Sequence, residues 1–175
     1  MMSIDSILKI IEPPPTPSEA GDIDGWKRVE EIMKTKLPID YKQYISTYGT
    51  GCICEFLWPL NPFSKNKYLN LMAKSEAELN SLRDLKKMDF QECPYPLFPD
   101  SGGILTWGVT DNGDVLFWLT QGEPDKWITV INESRSPVYE EFDRTMTQFI
   151  SDLIRGQIRS NIIELKTDFK IFKSK

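Results

Sequence analysis

The sequence predicts an α+β fold in which several helices pack against an antiparallel sheet. Helical periodicity dominates the first half of the chain, whereas the second half contains three apolar strands joined by short turns, followed by another helical pattern. The chain has 175 residues, of which 40% are apolar. A chain of this length can bury a hydrophobic core without support from disulfides or structural metals.

A short amphipathic helix is expected over residues 4–11, where isoleucine and leucine recur with helical spacing. The proline-rich residues 13–17 cannot continue a helix and should run extended. We therefore divide the chain into three parts. Residues 1–21 form an N-terminal helix and linker, residues 22–156 form the main domain, and residues 157–175 form a basic C-terminal extension.

Two helices are expected to open the main domain. Asp22 is placed to cap the first helix, which should end at Lys36. Pro38 suits the first position of the second helix, and Gly49 suits its C-terminal cap. The apolar face of the first helix consists of Ile23, Trp26, Val29 and either Ile32 or Met33.

Two further helices are expected later in the chain. Ser75 and Glu78 have the spacing of a capping box, which predicts a helix from Ser75 to about Met88. The last helix is expected over residues 139–155, because large apolar residues recur there at helical spacing.

The strands of the expected sheet alternate with turn signals. Residues 53–60 read as one apolar and aromatic strand, and residues 104–109 and 115–119 form a hairpin. Asn112-Gly113 should supply two positive φ angles to the tight turn of this hairpin. A third strand at residues 127–131 completes an antiparallel meander.

The composition weighs against several functional classes. The sequence contains no histidine, which excludes Ser-His-Asp and Cys-His triads and zinc sites with mixed cysteine and histidine ligands. The net charge is −5, and an acidic chain is a poor candidate for binding nucleic acid. It is better suited to a basic protein partner, because complementary charge accelerates encounter.

Cys52, Cys54 and Cys93 make an odd number of cysteines, which does not indicate a disulfide framework. Three thiolates could ligate zinc, but a fourth ligand and a Cys-x-x-Cys knuckle are missing, so buried apolar thiols are the favoured interpretation. We expect no metal and no cofactor. No signal peptide and no apolar stretch of membrane-spanning length is visible, which predicts a cytoplasmic protein without membrane association.

Two acidic patterns have both a chemical and a structural interpretation. Asp111 to Asp114 superficially resembles a calcium loop, but strands flank it and turn formation explains its residues. Glu30-Glu31, Glu140-Glu141 and Asp143 are candidate paired carboxylates for a hydrolase, yet neighbouring helix positions point in different directions and such runs are normally solvated. Gly102-Gly103 lacks the residues of a phosphate-binding loop.

The tryptophans leave two possibilities open. Phe117 and Trp118 lie on opposite faces of one strand, so both faces of the sheet are apolar in places. Either helices cover both faces, or one face is an exposed aromatic surface for a partner. Core packing is favoured, because a domain of this size buries most of its large aromatic residues.

Several short motifs, in their order and spacing between Gly25 and Gly156, resemble the SUKH superfamily. The residues that carry the resemblance, and that we expect to define the fold, are Trp26, Glu30, Leu37, Pro38, Asp40, Tyr41, Gly49, Phe98, Pro99, Gly103, Trp107, Gly108, Gly113, Asp114 and Trp118. The superfamily takes in fungal regulators of the cell wall and glucan synthesis and many bacterial immunity proteins.

The resemblance implies a non-enzymatic α+β domain that binds another intracellular protein. In bacterial members the partner is a cognate toxin, often a nuclease or deaminase, and the fungal members imply a regulatory or scaffold module as the alternative. Exposed acidic residues would steer a basic partner. The candidate partner-binding residues are Glu55, Asp111, Asp114, Glu123 and Asp125.

Overall fold

The computed structural model describes residues 4–89, 92–166 and 172–175. Its helices are α1 (Asp5–Leu8), α2 (Ile23–Met33), α3 (Ile39–Tyr48), α4 (Leu71–Met88) and α5 (Met146–Ile154). Its strands are β1 (Gly51–Ile53), β2 (Leu57–Pro59), β3 (Ile104–Thr110), β4 (Val115–Leu119), β5 (Ile128–Asn132), β6 (Tyr139–Phe142) and β7 (Phe172–Ser174). Residues 1–3 of the expected N-terminal part and 167–171 of the expected extension lie outside the described residues.

The strands form one antiparallel sheet in the order β6-β5-β4-β3-β2-β1-β7. Strands β3 to β6 are sequential neighbours and make up the meander, whereas β7 returns from the C-terminus to pair with β1. The predicted α+β architecture is confirmed.

Helices cover both faces of this sheet. On one face, Trp118 packs edge-on against Tyr41 of α3, and Trp107 packs against Phe149 of α5. On the other face, Phe117 belongs to a second cluster that includes Leu79 of α4. Trp107 and Trp118 are fully buried, so these tryptophans serve the core.

The predicted single strand at 53–60 is wrong. Cys54 and Glu55 have positive φ angles of 51° and 56°, and the chain reverses there between β1 and β2. Ile53 and Leu57 become partners across the resulting hairpin. An apolar run does not reveal a turn when the turn residues are not glycine, proline or asparagine.

The predicted start of α4 at Ser75 is also wrong. Asn70 caps the helix one turn earlier, where its side-chain oxygen accepts hydrogen bonds from the backbone N–H groups of Met72 and Ala73. Ser75 instead lies within the helix and donates its hydroxyl to the carbonyl of Thr106, which fastens α4 to β3. The predicted end at Met88 is confirmed.

The helix predicted over residues 139–155 is divided in the structure. Residues 139–142 pair with β5 as an edge strand, and the helix begins only at Met146. Gln148 accepts a hydrogen bond from the backbone N–H of Thr145, which closes the first turn of α5. Pairing with an available strand overrides the helical pattern of the Tyr-Glu-Glu-Phe segment.

Three smaller predictions need correction. Only Gly113 has a positive φ in the β3–β4 turn, because a three-residue loop replaces the expected two-residue turn. Helix α2 ends at Met33 rather than Lys36, with Lys34 in the left-handed conformation. Ile23, expected on the inward face of α2, is exposed, and of the two alternatives Ile32 and Met33 it is Met33 that packs against the core. The predicted cap is confirmed, since the Asp22 carboxylate accepts from the Gly25 N–H.

The N-terminal segment packs into the main core. Ile7 and Ile11 are fully buried in the same cluster as Trp118, and the Tyr48 hydroxyl donates to the carbonyl of Ile11 at 2.6 Å. Glu19 accepts hydrogen bonds from the Thr50 hydroxyl and from the backbone of residue 65. The polar contacts of this segment therefore reach the α3–β1 and β2–α4 connections.

We predict that α1 contributes to the stability of the whole domain. Replacing the buried Ile7 with alanine should lower the free energy of unfolding by about 2–4 kcal/mol, because it opens a cavity in the shared core. The neighbouring Leu8 is partly exposed and provides the matched control, with an expected loss under about 1 kcal/mol for Leu8→Ala. Urea unfolding monitored by circular dichroism measures both, and equal losses would contradict the shared core.

Glu30 ties α2 to the start of α3. Its carboxylate accepts hydrogen bonds from the ammonium groups of Lys36 and Lys42, both at 2.8 Å, and from the backbone N–H of Leu37 at 3.0 Å. Burial alone would raise the pKa of this carboxyl, but the three hydrogen bonds outweigh it and lower the pKa to about 2. The carboxylate therefore remains charged in the folded protein.

This arrangement predicts a pH-dependent contribution to stability. Because the folded pKa lies below the unfolded value of about 4.3, the contribution is complete above about pH 5 and is lost as the pH falls towards 2. Glu30→Gln should therefore destabilise the protein by about 2 kcal/mol at pH 7 and by clearly less at pH 2.5. Urea titrations at both pH values test this, and a pH-independent difference would argue against an ionic role.

Candidate functional site

Two of the predicted acidic residues meet at one end of the sheet. Leu57 pairs with Thr110 and Val109 pairs with Val115, so the β1–β2 and β3–β4 turns emerge side by side. The backbone N–H of Asp111 donates to the carbonyl of Phe56 at 3.0 Å and holds the two turns together. Glu55 and Asp111 are both exposed there.

Trp58 joins these two acids to form a site that we call the acidic end, which consists of Glu55, Trp58 and Asp111. The indole N–H of Trp58 donates to the Asp111 carboxylate at 2.7 Å. The half-buried Trp58 ring also lines a surface cavity of about 370 Å³ together with Tyr68, which is 67% exposed. The acidic end thus combines negative charge with aromatic surface, a combination that suits protein recognition.

Asp114 lies near the same turns but is only 3% exposed. Its carboxylate accepts hydrogen bonds from the Thr110 hydroxyl at 2.7 Å and from the backbone N–H of Ser134 at 3.0 Å. These bonds connect the β3–β4 and β5–β6 turns. The side chain is therefore used within the fold and offers little surface to a partner.

Glu123 and Asp125 lie at the opposite end of the sheet, because the β4–β5 connection follows the Ile104–Leu119 pair. The Asp125 carboxylate accepts a hydrogen bond from the backbone N–H of Ile39 at 2.7 Å and so caps the start of α3. Glu123 is exposed. The structure thus does not bring the five predicted residues into one surface.

Two lysines near the C-terminus were not predicted to join this site. Lys173 forms an ion pair with Glu55, and the ammonium group of Lys175 lies 5.5 Å from the centre of the Trp58 ring. The basic character of the C-terminal extension was visible in the sequence, but its placement depends on the β1–β7 pairing. Strand β7 has three residues and lies more than 100 residues after β1 in the chain, so the sequence carries no signal of their pairing.

The cysteines give little support for chemistry. Cys52, Cys54 and Cys93 are buried, and no disulfide joins them. Burial, reinforced by the negative charge of Asp111, raises the pKa of the Cys52 thiol to about 12, so it stays protonated at neutral pH. Within residues 4–89, 92–166 and 172–175, no group of three or more acidic or cysteine side chains is arranged to hold a metal ion.

The residues quoted for the family resemblance take mostly internal positions. Asp40 is buried and accepts hydrogen bonds from the hydroxyl and the backbone N–H of Thr147, which joins α3 to α5. The Tyr41 hydroxyl donates to the carbonyl of Leu60 at 2.7 Å. A Cβ on Gly103 would lie 2.5 Å from the Phe98 backbone nitrogen, so only glycine fits there without a shift. These contacts define how the helices sit on the sheet.

Comparison with known families identifies the family of the chain. The family model SUKH_6, described as SMI1-KNR4 cell-wall, matches residues 23–150. The chain belongs to the SUKH superfamily. No curated protein and no solved structure matches it significantly. In this SUKH protein the match includes Glu55, Trp58 and Asp111, whereas α1 and β7 lie outside it. No helix among the described residues is long and apolar enough to cross a membrane.

The different environments of the acidic residues predict different mutational effects. Asp114→Ala should lower the free energy of unfolding by about 2 kcal/mol, because it leaves the Thr110 hydroxyl and the Ser134 N–H without their acceptor. Glu123→Ala removes an exposed carboxylate and should change stability by less than about 0.5 kcal/mol. Thermal and urea unfolding measure both. A neutral Asp114→Ala variant would show that this carboxylate is dispensable for the turns.

Proposed function

We propose that this SUKH protein works by binding another protein without catalysing a reaction, and that its partner is a cognate toxin that it neutralises. The acidic end carries the proposal, because it joins two exposed carboxylates to a half-buried tryptophan and a neighbouring exposed tyrosine. Toxins that act on nucleic acids need basic surfaces to bind them. An acidic and aromatic surface complements such a partner.

The chemistry of the acidic end favours protein recognition over catalysis. Its tryptophan can anchor an interface, while its carboxylates can steer a basic protein during encounter. The chain has no histidine to act as a general base, and the Cys52 thiol close to the site is held in its unreactive form.

The alternative is a regulatory or scaffold module with an intracellular partner that is not a toxin. The family description, with its reference to the cell wall, favours this second function. Both functions use a binding surface, so the fold does not distinguish them. The identity of the partner distinguishes the immunity function from the regulatory one.

Co-expression with a candidate toxin domain, taken from a toxin gene found beside the gene for this protein, tests the immunity function. We expect cells to survive toxin expression only when this protein is present. Glu55→Lys/Asp111→Lys should weaken binding to the purified toxin domain by at least about tenfold, because both carboxylates leave the proposed contact surface. Glu123→Lys is the matched control, since it reverses an exposed charge at the other end of the sheet.

The outcomes separate the two functions. Survival with the wild type and loss of binding only in the double variant supports neutralisation through the acidic end. Continued killing despite folded wild-type protein argues against the immunity function, and capture of a non-toxin partner through the same residues favours the regulatory one. Circular dichroism melting of every variant verifies that a loss of binding does not reflect unfolding.

A further inference from the structure

The outer edge of β1 is covered by four residues from the end of the chain. Strand β7 pairs with β1 antiparallel through Gly51–Ser174, Cys52–Lys173 and Ile53–Phe172. The next residue continues the contact, since the backbone N–H of Lys175 donates to the carbonyl of Thr50 at 3.1 Å. Residues 172–175 thus satisfy an edge that would otherwise present unpaired backbone groups.

The tail segment, residues 172–175, places an aromatic ring on one side of this edge. The Phe172 ring lies 5.2 Å from the Tyr48 ring, centre to centre. A Cβ on Gly51 would lie 2.2 Å from the Phe172 ring, so the absence of a side chain at Gly51 makes room for it. The β1 edge therefore has a position that accepts an aromatic side chain.

Alternate residues of an extended segment point to the same side, so both lysines of the tail segment face away from Phe172. Lys173 pairs with Glu55, and Lys175 lies over the Trp58 ring. Two groups of the acidic end are thus already occupied by cations from the same chain. The tail segment shows which pattern fits this edge: an aromatic residue followed by lysines at alternate positions.

The tail segment makes few buried contacts. It makes a strand of three residues, Phe172 is only half-buried, and Lys173, Ser174 and Lys175 are exposed. The side chains of the Lys173–Glu55 pair are 59% and 42% exposed, and solvent screening leaves such pairs with little net stability. A longer segment that makes the same contacts and more can therefore compete with it.

We propose that the β1 edge and the acidic end together form a docking site for an extended, basic segment of the partner, which adds to the sheet as a strand. The tail segment occupies this site as an intramolecular competitor. The proposal rests on the protein-binding function proposed above. Main-chain hydrogen bonds to β1 would supply affinity, while the Gly51 position and the acidic end would select the sequence. The apparent affinity for the partner segment then equals the intrinsic affinity multiplied by the fraction of molecules in which the edge is open.

A peptide titration tests the competition without any toxin. The probe is a capped synthetic peptide with the sequence Ile-Phe-Lys-Ser-Lys, titrated into the isotope-labelled full-length protein and followed by the amide signals of residues 51–53. The test variant is full-length Phe172→Ala/Lys173→Glu/Lys175→Glu, whose tail should no longer hold the edge. We expect the peptide to bind this variant at least about tenfold more tightly than the wild type. A chain lacking residues 172–175 provides a second opened form.

Two controls assign the binding to the proposed contacts. A peptide with glutamate in place of both lysines should not bind, and adding Glu55→Lys to the opened variant should weaken binding of the basic peptide by at least about tenfold. Equal peptide affinity for the wild type and both opened forms would overturn the proposal. So would failure of the peptide to bind opened forms that retain the wild-type signals of the core.

Light scattering tests a different occupant of the same edge. If two copies of the wild-type protein exchange tail segments, the wild type will form dimers in a concentration-dependent manner. The edge would then serve self-association and not a partner, which would overturn the proposal. The titration also stays separate from the immunity test. Loss of toxin protection with intact peptide binding would refute only the immunity function. Intact toxin protection without peptide binding would refute only the docking edge.

Discussion

The apolar character of both faces of the meander determines where the rest of the chain must go. Trp118 and Phe117 are neighbours on β4, both are buried, and they belong to different core clusters. Because each face has to be shielded from water, helices occupy both sides of the sheet. Of the sheet itself, the turns and the edge strands remain available for contact with other molecules. This constraint places the acidic end at a row of turns.

The elements with local signals could be predicted, and the elements that depend on distant pairing could not. Asp22 caps α2, and the β3–β4 hairpin follows from alternating apolar residues around Gly113. Residues 139–142 carry a helical pattern but form a strand, because β5 offers an unpaired edge. The β1–β2 turn was missed because Cys54 and Glu55, which have positive φ angles, are not typical turn residues.

The candidate site shows the same division. Charge pointed to Glu55 on an expected strand, and charge with turn chemistry pointed to Asp111 and Glu123; all three are exposed, but the sequence does not say which acids the fold uses internally. Asp114 is drawn inward by a threonine hydroxyl and a backbone N–H, and Asp125 is taken up by the N-terminus of α3. In both cases an orphan backbone donor, created by tertiary structure, needed an acceptor. Acidic residues in turns are therefore poor markers of a binding surface until the backbone donors around them are known.

The sheet topology brings basic residues of the C-terminal extension next to acidic residues of the main domain. The net charge of −5 is spread unevenly, and the last 21 residues carry six basic side chains against two acidic ones. Two of those lysines are brought back to the acidic end by β7, where they shield one carboxylate and one aromatic ring. A partner that brings its own lysines or arginines must first displace these cations. Self-competition of this kind raises specificity, because a segment that matches only the charge gains little over the tail, whereas one that also fits the Gly51 position and extends the strand gains more.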